Sequence, residues 1–170
     1  MVATVLEALA ATHAHDVLHR DLKPENIFLA REGSAVVPKI LDFGVSKILG
    51  DDAERTKMIR TGVLIGTPAY MSPEQVMGAT VDLRSDLWAV GVILYELVSG
   101  RLPFDGKNYN AVLVRIATGD TDPLSMHVPT VDPGLAAIVE RAMARKASGR
   151  FSSAEAMREA LTDWIEGRCS

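Results

Sequence analysis

Apolar residues at Val2, Val5, Leu6, Leu9 and Ala10 recur at the spacing of one helix face, which predicts an amphipathic helix over residues 2 to 14. No capping side chain stands in front of it, so the helix is expected to begin in chain upstream of Met1. Short apolar runs at residues 27 to 30 and 36 to 41 flank Arg31-Glu32-Gly33-Ser34 and predict a β-hairpin. Its outer ends would bring Asn26 and Asp42 close together. Residues 44 to 65 follow neither period and mix Asp51, Asp52, Glu54, Arg55, Lys57 and Arg60 among small side chains, which predicts a long functional loop.

Residues 87 to 98 are apolar on every face, the pattern of a helix surrounded by protein, and Gly100 ends it. The run is well short of the ~20 residues that a membrane span needs. Three more helices are predicted: at about 108 to 118; at about 133 to 145, with Asp132 as cap and Pro133 in the first turn; and at about 153 to 166, with Ser152 and Glu155 as a capping box.

A chain of 170 residues is long enough for one domain with a real core. Its net charge of -4 supplies no general field for phosphodiester backbones, so nucleic acid is not an expected partner and any phosphate chemistry must be local. Cys169 is the sole cysteine, which excludes an internal disulfide and a multi-cysteine metal site and fits a reducing cytoplasm. The apolar opening carries Glu7 and has no basic residue before Arg20, so it reads as a helix and not as a signal peptide.

The chemistry is concentrated in His19-Arg20-Asp21-Leu22-Lys23-Pro24-Glu25-Asn26, followed after the hairpin by Asp42-Phe43-Gly44. The octet HRDLKPEN with DFG behind it resembles the catalytic loop and metal-binding motif of protein kinases. Alone, DFG is as readily a turn as a metal site; order and spacing together carry the resemblance. Ser72-Pro73-Glu74, within GTPAYMSPE, resembles the end of the kinase activation segment, with serine in place of the usual alanine, as is common among bacterial members. Lys23 and Thr67 match the eukaryotic-like bacterial serine/threonine kinases and not the tyrosine kinases.

The resemblance implies roles residue by residue. Asp21 would be the catalytic base, Lys23 the cation beside the γ-phosphate of ATP, and Asn26 and Asp42 the Mg2+ ligands, with Thr67 completing the catalytic set. Phe28 would lie beneath the adenine; a core phenylalanine is the alternative. Asp86 would bind backbone N–H groups of the catalytic loop and Arg150 would pair with Glu74. On their own these two read as a helix-cap residue and a solvated charge. His19, Phe43 and Gly44 would be structural. Arg20 and Lys47 would receive a phosphate on Thr61, with Thr56 as the second candidate acceptor.

The implied fold is mainly α, a kinase C-terminal lobe over residues 1–166 built as a helical bundle with a short catalytic-loop β-hairpin. Its activation segment would span 42–74, with a tail at 167–170. The glycine-rich loop, strand lysine and helix glutamate of the N-lobe are absent from the sequence. An N-lobe, upstream or in trans, is therefore an expected partner beside protein substrates. The isolated chain is expected to bind ATP weakly, to expose an apolar face and to be poorly soluble. Two readings remain open: the catalytic lobe of a serine/threonine kinase, and a non-catalytic kinase remnant that docks other proteins.

Overall fold

The structure, a computed structural model, describes residues 1–42 and 68–169. Phe43, Gly44, Lys47, Thr56, Thr61 and Thr67, with the loop expected over 44 to 65, lie outside the described residues.

Helix α1 (Val2–His13) turns Val5, Leu6 and Leu9 inward. Residues 14–26, which end in a 3-10 turn over Pro24–Asn26, lead to the hairpin of β1 (Ile27–Glu32) and β2 (Ala35–Ile40), paired antiparallel from Ile27↔Ile40 to Glu32↔Ala35. The strands extend through Arg31 and Glu32, which the apolar pattern alone assigns to the turn. Gly33 takes φ +64°, so Gly33-Ser34 suffice to reverse the chain. Leu41 N–H donates to the Asn26 carbonyl at 2.8 Å, which draws the two outer ends of the hairpin together.

Helix α2 (Pro73–Met77) is too short to show a period. Helix α3 (Leu83–Ser99) starts four residues earlier than the apolar run, capped by Asp82, which accepts from Arg84 N–H at 2.9 Å. Ser85 and Asp86 break the apolar pattern, yet both are buried because they bind groups inside the protein. Burial is unbroken from Ser85 to Tyr95 and then stops: Leu97 is 54% exposed, so the helix is not enclosed along its whole length.

Helix α4 (Tyr109–Thr118) is capped by Asn108, and α5 (Leu124–His127) is another single short turn. Helix α6 (Pro133–Ala142) is capped by Asp132, which accepts from the N–H groups of Gly134 and Leu135. It ends three residues before the expected 145, because the Ala144 and Arg145 carbonyls turn to accept from the Arg150 guanidinium. In α7 (Ala154–Cys169) the cap is Ser153, which accepts from Ala156 N–H at 3.2 Å, and not the expected Ser152. Buried Arg150 and Phe151 fix the approach to the helix, leaving Ser152 exposed.

The core gathers on α3, with α1 and α6 packed against it and α7 packed in turn on α1 and α6. Trp88 stacks on Phe104 at 5.5 Å between ring centroids. Helices α3 and α6 approach so closely that a Cβ on Gly91 would lie 2.8 Å from the Ala142 Cβ and 2.9 Å from the Met143 Cγ. Gly91→Ala gains about 1 kcal/mol of helix propensity but incurs overpacking of about 1–3 kcal/mol. The expected outcome in urea unfolding is a lower midpoint; a higher one would show that the two helices separate at little cost.

Candidate active site

The segment after α1 is held by one buried carboxylate. Asp86, 2% exposed in the first turn of α3, accepts from His19 N–H at 2.9 Å and from Arg20 N–H at 2.8 Å. Its Oδ2 also lies 2.9 Å from His13 Nε2 at the end of α1. The end of α1 and the following loop thus meet on one side chain, and an acceptor-only carboxylate suits them because each of the three groups can present an N–H. Arg20 takes φ +64°, a region sparsely populated by long side chains. Its carbonyl is bound from the other side by Gln75 Nε2 at 2.7 Å.

Asp21 follows. Its carboxylate lies 3.4 Å from Lys23 Nζ, both side chains partly open to solvent. Its carbonyl accepts from Asn26 Nδ2 at 2.8 Å, so the Asn26 amide closes the loop and sits at the foot of β1. His19 is fully buried, with Nε2 3.0 Å from the Leu41 carbonyl and Nδ1 3.4 Å from Asp21 N–H. If Nδ1 accepts, Nε2 must donate, and the imidazole then ties the loop to the residue before Asp42. Both ring atoms are thereby committed to backbone, which suits a structural histidine. Asp42 is exposed with φ +51°, at the hairpin end opposite Asn26.

Phe28 is 56% exposed on β1, which removes the alternative of a core phenylalanine. Leu29, Val36 and Leu41 are also exposed, and a groove lined by Met1, Pro24, Ile27, Leu29, Ile93 and Leu97 runs beside the hairpin.

Glu74 and Arg150 form a bidentate pair at 2.7 and 2.8 Å, the Arg150 side chain fully buried and lying 4.8 Å over the Trp88 ring. Burial pushes the Glu74 carboxyl up, but hydrogen bonds from Arg150 and Ser85 outweigh it and hold the group below its ordinary value. Tyr70 donates to Glu96 at 2.7 Å; burial, then this hydrogen bond and the Glu96 charge, push its hydroxyl well above the usual tyrosine value.

His13, Gln75 and the Tyr70–Glu96 pair escaped the sequence reading. Gln75 had a visible signal as the third residue of a Ser72-x-x-Gln75 capping box, which marks a helix start and says nothing of the second contact. His13 had none.

Among the described residues no three His, Cys, Asp or Glu gather as a metal cluster. A hard cation that takes one or two protein oxygens and completes its shell with water and phosphate does not need such a cluster. The Asn26 amide oxygen and the Asp42 carboxylate are donors of that kind. No described helix is long and apolar enough to cross a membrane.

Residues 1–162 match the protein kinase domain, and the chain belongs to that family. It is similar to the serine/threonine-protein kinase Pkn1 of Myxococcus xanthus, 43% identical over 162 residues, which make up 95% of this chain and 23% of that protein. Pkn2 of the same organism is 40% identical over 163 residues, 95% of this chain and 20% of its own length. PknB of Mycolicibacterium smegmatis is 36% identical over 168 residues, 99% of this chain and 26% of that kinase. The chain thus spans about a quarter of the length of these relatives.

Proposed function

We propose that the chain is the C-terminal lobe of a serine/threonine protein kinase domain and carries its phosphotransfer machinery. The observation that carries this reading is the arrangement at Asp21. Its carboxylate stands 3.4 Å from Lys23 Nζ, on a loop tied by Asn26 to the hairpin and by Asp86 to the core helix.

Phosphoryl transfer asks the protein for positioning and charge compensation more than for covalent chemistry. Asp21 would orient a serine or threonine hydroxyl and take its proton as the oxygen bonds to the γ-phosphorus and ADP departs. Lys23 would balance negative charge on the transferring group, and Asn26 and Asp42 would hold Mg2+. The ion, when bound, neutralises phosphate charge. Thr67 completes the proposed catalytic set, with Phe28 beneath the adenine. Thr61, once phosphorylated, would pair with Arg20 and Lys47.

The exposed apolar hairpin and its groove support an ATP-binding lobe as the partner that covers this face, supplying the phosphate cradle that the sequence lacks. The test is Mg-ATP-dependent labelling of a generic protein substrate by the chain, with and without such a lobe. Phosphoserine and phosphothreonine are expected only with the lobe present and are expected to vanish on chelation of Mg2+. Labelling of tyrosine would overturn the serine/threonine specificity, and no labelling in either form would sink the reading in favour of a non-catalytic docking module.

A further inference from the structure

We propose that Gln75 is a positioning residue for Asp21, its side-chain amide setting the peptide plane that leads into the base; this rests on the kinase reading above. Gln75 is buried at the third position of α2 and its amide is divided between two tasks. Oε1 accepts from Ser72 N–H at 3.0 Å and completes the capping box. Nε2 has no part in the cap. It reaches 55 residues back along the chain to donate to the Arg20 carbonyl at 2.7 Å.

A glutamate at this position would cap the helix equally well, since the box accepts either residue. Only the Arg20 contact needs the amide. That carbonyl belongs to the peptide joining Arg20 to Asp21, and the same residue donates its N–H to Asp86 at 2.8 Å. The left-handed backbone at Arg20 is thus gripped at both ends by side chains from distant helices. Strain of this kind persists only where the surroundings over-determine it. Removing one grip lets the peptide rotate, and the Asp21 carboxylate moves with it. Glu74, next to Gln75, is anchored by Arg150, so the position of α2 is transmitted to the base through one amide.

The discriminating variant is Gln75→Glu, which keeps the shape and the cap but turns an acceptor toward the Arg20 carbonyl. In the form that transfers phosphate, kcat measured well below Tm is expected to fall about 10- to 100-fold with KM for ATP nearly unchanged, while the unpaired buried groups lower Tm by a few degrees. The deficit should shrink as pH is lowered and the introduced carboxyl gains a proton to donate. A second readout uses this chain alone: amide hydrogen exchange over residues 18 to 23 should quicken about tenfold in the variant, while α6 and α7 keep their protection. A kcat close to wild type, unchanged loop exchange, or exchange that quickens as much in α6 and α7 as in the loop would each overturn the proposal. If the wild type transfers no phosphate, the kinase reading fails, and the exchange comparison by itself decides whether Gln75 holds the loop.

Discussion

Asp21→Asn is expected to lower phosphotransfer by about 10²–10⁴-fold while leaving the folded chain intact. That range is what a positioned general base contributes. The substitution keeps the shape of the side chain and all the backbone contacts that define the loop: the Asp21 carbonyl still accepts from Asn26, and Arg20 stays between Asp86 and Gln75. What disappears is the negative charge facing Lys23; the Asp21 side chain is 37% exposed, so a partly solvated ion pair contributes little to stability. The loss should therefore fall on kcat at saturating ATP, with Tm almost unmoved. Initial rates on a protein substrate, with a melting curve on the same preparation, separate the two. Activity within a few-fold of wild type would remove Asp21 from the role proposed for it.

The largest effect on stability is expected at the Glu74–Arg150 pair. Arg150→Met removes a guanidinium that serves both Glu74 oxygens and the carbonyls of Arg84, Ala144 and Arg145. Losing one partner of a buried pair costs about 3–5 kcal/mol, and here three carbonyls lose their donor as well. For a chain of this size that corresponds to a Tm lower by roughly 6–20 °C. Glu74→Gln should cost less, because the carbonyl contacts of Arg150 survive.

The pair also sets an acid limit. Glu74 titrates below its ordinary 4.5 in the folded chain, so the unfolded state takes up its proton first as pH falls. The stabilisation is complete above about pH 4.5 and is lost as pH drops through the folded value. Urea midpoints taken from neutrality down to about pH 3 should decline less steeply in Glu74→Gln than in wild type. Parallel curves would show that Glu74 does not contribute to acid unfolding.

Several features were legible in the sequence for simple reasons. Helices α1, α4, α6 and α7 carry a strong 3.6-residue period or a recognisable cap, and the hairpin shows as two short apolar runs around a glycine turn. Misplacements occurred where tertiary contacts overrode local pattern. Helix α3 begins among polar residues because Ser85 and Asp86 have buried partners, and α6 stops early because its following carbonyls are drawn to Arg150. The short helices α2 and α5 have too few residues for a period to register.

The sequence by itself determined the gathering of Asp21, Lys23, Asn26 and Asp42, because all four lie on one loop and hairpin whose local pairing brings them together. It also determined the family, through motifs that the match of residues 1–162 to the protein kinase domain bears out. Only the tertiary structure decided what holds that loop in place. Gln75 and Asp86 converge on His19 and Arg20 from two helices, His13 of α1 meets the same Asp86 carboxylate, and the contacts of Asp86 and Gln75 with the loop span 55 or more residues of chain. Hydrogen bonds between such distant side chains and backbone leave no period in the sequence. Their geometry is set by how α1, α2 and α3 pack, and the left-handed backbone before Asp21 exists only because that packing closes around it.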